Sequence, residues 1–141
     1  LCFTMEDKDL LDQALDHPLS RWNSLVSAPA AEFEKMGLAH PFGGDYSYFK
    51  DVIPEWFSKR DFYDVTSRIP REAATMINFY GTPDEVIAKM DPWLRCGVTD
   101  VMLYNVAGMG SKEAMASCAA ADERLRRHLL GREVDSSGLS D

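Results

Sequence analysis

Apolar residues recur at helical spacing over most of this chain, which predicts a mostly helical protein. Leu10, Leu11, Ala14 and Leu15 form one such stripe in a helix predicted over residues 5–16, whose first turn is crowded with acidic residues. Proline, serine or threonine at the start and glycine at the end mark further helices. These are predicted over residues 18–27, 29–37, 59–67, 70–80, 82–97 and 111–130.

The helix over residues 82–97 has the clearest start signal. Thr82 precedes Pro83, and Glu85 follows three residues after Thr82, which is the pattern of a capping box. Because capping alone explains these three residues, they are interpreted as structural. Pro92 lies inside the apolar pattern and predicts a kink or a change of direction there.

Residues 98–106 are the most convincing strand of the chain. They include the run VMLY, whose consecutive apolar residues are typical of a parallel strand that is covered on both faces. Residues 1–4 are predicted to be the end of a second strand. One parallel strand does not make a sheet, so its neighbours are expected before Leu1, in a partner chain, or nowhere.

Residues 40–54, HPFGGDYSYFKDVIP, show no helical period and are rich in aromatic side chains. A loop of this length is uncommon unless it is functional or disordered. Its aromatic content argues against disorder. We therefore expect a structured loop that is a candidate for function, whereas residues 131–141 are predicted to form a flexible tail.

The composition indicates a single globular domain. Hydrophobic residues make up 45% and charged residues 27% of the chain, and the net charge is −8. Binding to nucleic acid or to an anionic membrane surface needs a basic footprint, so neither is expected. Cys2, Cys96 and Cys118 are far apart and odd in number, which favours free thiols in the cytoplasm and small packed side chains. The chain begins with Leu, and we expect that it starts inside a longer gene product.

The stretch GTPDEVIAKMDPWLRCGVTDVMLYN, residues 81–105, resembles the closing segment of the luciferase-like monooxygenase superfamily. These proteins are TIM-barrel oxidoreductases that use flavin or the deazaflavin coenzyme F-420. The stretch DHPLSRWNSLVSAPAAEFEKMGLAHPFGGDYSYFKDVIPEWFSKRDFYDVTSRIPREAA is similar to the insertion and helical region of the deazaflavin-dependent branch. The resemblance covers roughly residues 1–110.

The resemblance implies an α/β fold that is the C-terminal part of a (β/α)₈ TIM barrel. It assigns the insertion to about residues 17–80 and the last helix–strand–helix unit to residues 82–130. Residues 1–4 would end the seventh strand, and residues 98–105 would be the eighth. A whole barrel takes about 250 residues, so the other strands and much of the cofactor site would lie outside these 141 residues. The isolated chain is expected to be inactive and not to bind the cofactor tightly.

Active-site groups of a TIM barrel lie at the C-terminal ends of its strands and in the loops that follow. A glycine turn that opens a helix also presents backbone N–H groups to an anion. The candidate cofactor-binding residues are therefore Tyr104, Asn105, Gly108, Gly110 and Ser111.

The resemblance places the aromatic loop over the barrel mouth, where it helps to shape the substrate pocket. His40 is the candidate for proton transfer, because the imidazole group titrates near neutral pH. The candidate substrate-binding residues of this loop are Asp45, Tyr46, Tyr48 and Lys50.

The expected activity of the full-length protein is hydride transfer between a deazaflavin and a small organic substrate, with flavin mononucleotide as the alternative cofactor. Its expected partner is a second copy or the missing N-terminal part. The alternative function is that of a non-enzymatic, mostly helical truncated protein or a docking subunit. His17, His40 and His128 have no metal-ligand spacing, and no metal site is predicted.

Overall fold

The computed structural model describes residues 2–51 and 58–131. Its elements, in chain order, are β1 (Cys2–Thr4), α1 (Lys8–Asp16), α2 (Pro18–Ser27), α3 (Ala30–Lys35), α4 (Tyr48–Asp51), α5 (Lys59–Ser67), a 3₁₀ helix (Arg71–Thr75), β2 (Phe79–Gly81), α6 (Pro83–Arg95) and α7 (Lys112–Leu130). The predictions for Leu1 and for the tail after Gly131 lie outside the described residues. The described chain is mostly helical, as the sequence predicts.

The strands form a small parallel sheet with β1 at its centre. Cys2 lies opposite Phe79, and Thr4 lies opposite Gly81. On the other side of β1, Asn105 forms a parallel bridge with Cys2. Three parallel segments with helices packed against them are consistent with a fragment of an α/β fold.

The prediction of a helix over residues 70–80 is wrong. Its first part is the 3₁₀ helix, and its last residues belong to β2. Pro70 and two alanines resemble a helix start when they are read locally, but β1 supplies the pairing that makes residues 79–81 a strand. A contact between residues about 77 positions apart in the chain therefore overrides the local pattern.

The strand predicted over residues 98–106 is formed only at Asn105. Residues 98–104 have no regular secondary structure, although Tyr104 and Val106 flank the bridge to β1 and bond to it. The described part of the chain supplies no second neighbour for this segment. A single residue of pairing is too little to order a whole strand.

Two smaller predictions also need correction. The aromatic loop contains the short helix α4, which begins where the backbone N–H of Ser47 donates to the Asp51 carboxylate at 2.8 Å. Cys96 is exposed, whereas Cys2 and Cys118 are buried, and all three thiols are free.

The described residues form three core clusters, and two of them include residues of β1. Phe3 belongs to a cluster between β1, α1 and α7. Phe33 belongs to a second cluster that is formed by α2, α3 and the 3₁₀ helix, and aromatic-loop residues pack against it. Val86 and Leu125 join α6 and α7 to Cys2 in the third cluster. The sheet is thus covered by α6 and α7, which fix the position of β1.

Gly81 is a backbone position where a side chain is expected to be costly. Its φ is +144°, and a Cβ there would lie 2.6 Å from Oε2 of Glu85. Glu85 uses this oxygen to accept from the N–H of Thr82 at 2.8 Å, so the predicted capping box is confirmed.

We expect Gly81→Ala to lower the free energy of unfolding by about 2–3 kcal/mol in urea titrations, because it adds backbone strain and displaces the cap. The matched control is Gly97→Ala, where φ is +92° and the space around the Cβ is open. It should cost only about 1–2 kcal/mol, from strain alone. Equal losses in the two variants would contradict the proposed displacement of Glu85.

Candidate functional site

The carboxyl ends of the three parallel segments lie at one edge of the sheet. Thr4 and Gly81 end β1 and β2 side by side, and Asn105 follows on the other side of β1. In alternating α/β folds, ligand-binding groups gather at this edge because the loops that follow the strands meet there. Two of the predicted cofactor-binding residues, Tyr104 and Asn105, lie at this edge.

Asn105 is fully engaged in holding this edge together. Its Oδ1 accepts from the backbone N–H groups of Thr4 at 3.3 Å and Ala107 at 3.2 Å. Its Nδ2 donates to the carbonyl of Thr4 at 2.9 Å and to Oδ1 of Asp122 at 2.8 Å. The side-chain amide thus pairs with Thr4 as a neighbouring strand would. It has no unused donor for a cofactor in this arrangement.

The turn after Asn105 is shaped mainly by packing. A Cβ on Gly108 would lie 3.1 Å from the Cβ of Cys118, and one on Gly110 would lie 3.2 Å from the His17 ring. Ser111 caps α7, because its Oγ accepts from the N–H of Ala114 at 3.0 Å.

Tyr104 is the candidate cofactor-binding residue with the most accessible side chain, at 59% exposed. Its carbonyl accepts from the N–H of Cys2 at 3.0 Å. The α7 cap forms as the sequence predicts, and the Tyr104 ring, Gly110 and Ser111 are exposed at this edge.

His40 is 5% exposed and lies in an aromatic cage. Its ring stacks on Tyr46 with centroids 4.2 Å apart and meets the edge of Phe33 at 4.6 Å. Nδ1 accepts from the backbone N–H of Phe42 at 3.1 Å. Nε2 must then carry the proton that it shares with the carbonyl of Leu25, also at 3.1 Å. Both ring nitrogens therefore bond to the backbone, and the role of His40 in proton transfer stays a prediction.

Burial lowers the pKa of His40 from its usual value, although the carbonyls of Leu25 and Ala28 act in the opposite direction. The folded state therefore takes up a proton at lower pH than the unfolded state, whose pKa is about 6.5. The contribution of His40 to stability is complete above that pH and is lost as the pH falls below it.

We expect the free energy of unfolding to decline as the pH falls below about 6.5, and part of this decline to vanish in His40→Phe. Urea titrations at a series of pH values measure the slope, which separates this effect from the general loss caused by the substitution. His17→Asn should keep the decline, because it removes a histidine and leaves an N-cap residue. A slope that is the same in His40→Phe and the natural sequence would rule out titration of His40.

Of the four predicted substrate-binding residues, one is buried and three are exposed. Tyr46 is buried, and its hydroxyl donates to the carbonyl of Val26 at 2.8 Å. Burial raises the pKa of Tyr46 to about 12. Asp45, Tyr48 and Lys50 are exposed around it. The loop is thus anchored through Tyr46 and His40 and presents its other polar groups to solvent.

A cluster of three charged side chains near the sheet edge is not predicted by the sequence pattern. Arg124 on α7 donates to Glu6 after β1 at 3.1 Å and also to Asp84 in the first turn of α6. These residues lie 118 and 40 positions from Arg124, so no spacing in the sequence joins them. All three are substantially exposed, and such pairs stabilise a fold by about 1 kcal/mol or less.

An open groove runs along α7 beside residues 98–104, with a cavity volume of about 570 Å³. We call this surface the α7 groove. Its lining includes Val101, Leu103, Ala119, Glu123, Arg126 and Leu129. Both apolar and charged side chains thus line the groove, and the sequence pattern does not predict it.

Two kinds of feature are absent from the described residues. No group of three or more His, Cys, Asp or Glu side chains within 2–51 and 58–131 is placed to hold a metal ion. No helix in the same part of the chain is long and apolar enough to span a bilayer.

The chain is similar to curated oxidoreductases from mycobacteria. It is 29% identical over 102 residues to the phthiodiolone/phenolphthiodiolone dimycocerosates ketoreductase of Mycobacterium tuberculosis H37Rv, which covers 72% of this chain and 26% of the relative. The Mycobacterium kansasii protein of the same name is 28% identical over 102 residues, covering 72% of this chain and 28% of the relative.

The similarity to these ketoreductases is distant and covers only part of their length. The chain spans about a quarter of the length of the curated relatives that it matches. No family model matches it, and no solved structure matches it significantly. The findings therefore support a distant relationship to a ketoreductase, and hence to an oxidoreductase.

Proposed function

We propose that this chain is the C-terminal portion of a luciferase-like oxidoreductase. In the longer protein, hydride would pass between the deazaflavin coenzyme F-420 and a small organic substrate in the cytoplasm. The observation that carries the proposal is the run Val101 to Tyr104, which has the pattern of a doubly covered parallel strand and yet lies open. Met102 is 90% exposed and Tyr104 is 59% exposed. An apolar segment of this kind requires further polypeptide to cover it.

The similarity to ketoreductases supports the same proposal. Matching a quarter of a relative's length is what a terminal portion of such an enzyme would give. The name of the relatives makes a ketone, or the corresponding alcohol, the first substrate class to test. A luciferase-like barrel remains a proposal that rests on the sequence resemblance.

The described residues do not form a cradle for a deazaflavin or flavin by themselves. The side-chain amide of Asn105 already forms hydrogen bonds with Thr4, Ala107 and Asp122, and the Ser111 hydroxyl caps α7. Tyr104 offers one exposed ring at the edge of the sheet. We therefore assign this segment the tasks of supporting the sheet edge and carrying the aromatic loop, and we derive no chemical step from it.

The test is to express the longer protein and to follow the absorbance of F-420 while ketone or alcohol substrates are added. Saturable binding with substrate-dependent oxidation or reduction of the coenzyme is expected. The 141-residue chain should show no saturable quenching of deazaflavin fluorescence at low micromolar concentration. Binding of flavin mononucleotide instead would select the alternative cofactor. A longer protein that binds neither cofactor would refute the oxidoreductase proposal.

The open apolar surface also favours one alternative, a docking subunit without enzymatic activity. Reading the source DNA in frame upstream of the Leu1 codon separates the two. An open frame of roughly 180 codons would supply the rest of a barrel of about 250 residues or more. A stop codon close upstream would favour the docking subunit.

A further inference from the structure

His40 and His17 share one local motif in two different environments. Each is followed by proline, and in each Nδ1 accepts from the backbone N–H two residues on, which is Phe42 at 3.1 Å or Leu19 at 3.3 Å. His17 is half-buried at the start of α2, whereas His40 is 5% exposed inside the aromatic cage. Because water can replace a lost bond only where it has access, this bond is far more sensitive to a proton at His40.

A proton on His40 places two hydrogen-bond donors against each other. The neutral ring has one acceptor, Nδ1, and protonation replaces it by a second N–H. The new N–H would face the N–H of Phe42, which then loses its acceptor. Phe33 and Tyr46 cover the ring, so little water reaches this pair of donors. The charged ring can gain solvent only if residues 40–51 move away from the helices.

The anchorage of residues 40–51 can be broken without unfolding the helices. Nε2 of His40 bonds to the carbonyl of Leu25. The hydroxyl of Tyr46 donates to the carbonyl of Val26. Both carbonyls lie in the last turn of α2, where the helix itself supplies no donor, and water can take over once the loop leaves. The rings of His40 and Tyr46 stack, so the displacement of one removes support from the other.

Nearby charged groups do not offset a positive charge on His40. Burial lowers the pKa of His40 and the carbonyls of Leu25 and Ala28 act against it, and no charged side chain of the described residues is among these causes. Tyr46 stays neutral, because its pKa is about 12. The charged side chains of α2 and α3 are half-buried or exposed: Arg21, Glu32, Glu34 and Lys35. The other titratable groups of the loop are also half-buried or exposed: Asp45, Tyr48, Lys50 and Asp51.

We propose that protonation of His40 releases residues 40–51 of the aromatic loop from α2 and α3, so that acid opens this part of the chain before the sheet and its covering helices unfold. The consequence for activity rests on the proposed function, which alone places the loop beside the substrate. In the longer protein, the release weakens substrate binding as the pH falls below about 6.5.

Native-state hydrogen exchange of the 141-residue chain tests the release. Protection, the ratio of the intrinsic to the observed exchange rate, is measured over residues 40–51 and 83–95 at pH 7.5 and pH 5.5. We expect the protection of 40–51 to fall at least about threefold at the lower pH, since protonation can raise the open fraction by up to about tenfold per pH unit below 6.5. Exchange of 40–51 should be nearly independent of urea below about 1 M, whereas exchange of 83–95 should accelerate, because it requires the exposure of much more surface.

His40→Asn removes the titrating group but keeps the turn. The side-chain oxygen of asparagine can accept from the N–H of Phe42, as Nδ1 does. The protection of residues 40–51 should then be the same at both pH values, whatever its absolute level. His17→Asn is the matched control, because it makes the same change in the same motif at a half-buried position. It should leave the pH response of 40–51 unchanged.

Three results would overturn the proposal: equal protection of 40–51 at the two pH values in the natural sequence, the same urea dependence in both segments, or an undiminished pH response in His40→Asn. The first two need only the natural sequence, so they decide the matter even if His40→Asn does not fold.

The longer protein separates this proposal from the proposed function. Its KM for a ketone substrate should rise between pH 7.5 and pH 5.5 by the reciprocal of the closed fraction, and it should not rise in His40→Asn. Release of the loop without any turnover of the coenzyme would keep the release and remove the proposed function. Turnover without release would do the reverse.

Discussion

Asn105→Asp is expected to lower the free energy of unfolding by about 3–5 kcal/mol at neutral pH. The substitution replaces the Nδ2 group by a carboxylate oxygen. The carbonyl of Thr4 and the carboxylate of Asp122 then lose their donor, and a second negative charge faces Asp122. Because Thr4 is buried and Asn105 and Asp122 are half-buried, water compensates only in part. Urea titration followed by circular dichroism measures the loss.

The second substitution Asp122→Asn provides the control for this result. Combined with Asn105→Asp, it removes the like charge and restores a donor towards the new carboxylate, so it should recover about 1–2 kcal/mol. In the natural background it keeps an acceptor for Asn105 and should cost less than about 1 kcal/mol. A loss below about 1 kcal/mol for Asn105→Asp would mean that Asn105 does not hold the sheet edge, and its predicted role in cofactor binding would regain support.

The sequence predicts helices well where the determinants are local. The Thr82–Glu85 capping box and the Ser111 cap form as predicted, because a cap and its partner lie within one turn of the chain. Ser58 likewise caps α5 through Asp61. The start of each of these helices could be identified from a few adjacent residues.

The strands depend on partners that are distant in the chain, and here prediction was less complete. Residues 79–81 become β2 only because β1 lies beside them, so a local pattern could not identify them. Residues 98–104 have the composition of a parallel strand, but the neighbour that would order them is not among the described residues. The pattern therefore indicates what this segment requires rather than what the chain alone can form.

In the candidate site, too, the sequence predicts local features but not the contacts between residues that are distant in the chain. His40, Tyr46 and Asn105 were selected because they are polar residues in promising places, but each bonds to the backbone of a segment that no spacing rule connects to it. The residues bonded by Asn105 lie 101 and 17 positions away. In the folded chain these side chains bond to the backbone of other segments, and their predicted roles towards a ligand stay predictions.

Leu125→Ala is the other substitution with a large expected effect. Leu125 is fully buried on α7, where it joins Cys2 of β1 to Val86 and Met90 of α6. Truncation leaves a cavity at the junction of the sheet with its two covering helices, and such changes cost about 3–5 kcal/mol. The loss is measured by urea titration of the 141-residue chain.

Leu130→Ala is the matched control, because it is the same change five residues along the same helix. Leu130 is 70% exposed and lines the α7 groove, so in the 141-residue chain its truncation should cost less than about 0.5 kcal/mol. If further polypeptide covers the groove in the longer protein, the same substitution should cost about 1–3 kcal/mol there, since the side chain is then buried. A large loss for Leu130→Ala in the short chain would show that the groove is already occupied there. A negligible loss for Leu125→Ala would mean that α7 does not hold the sheet through this cluster.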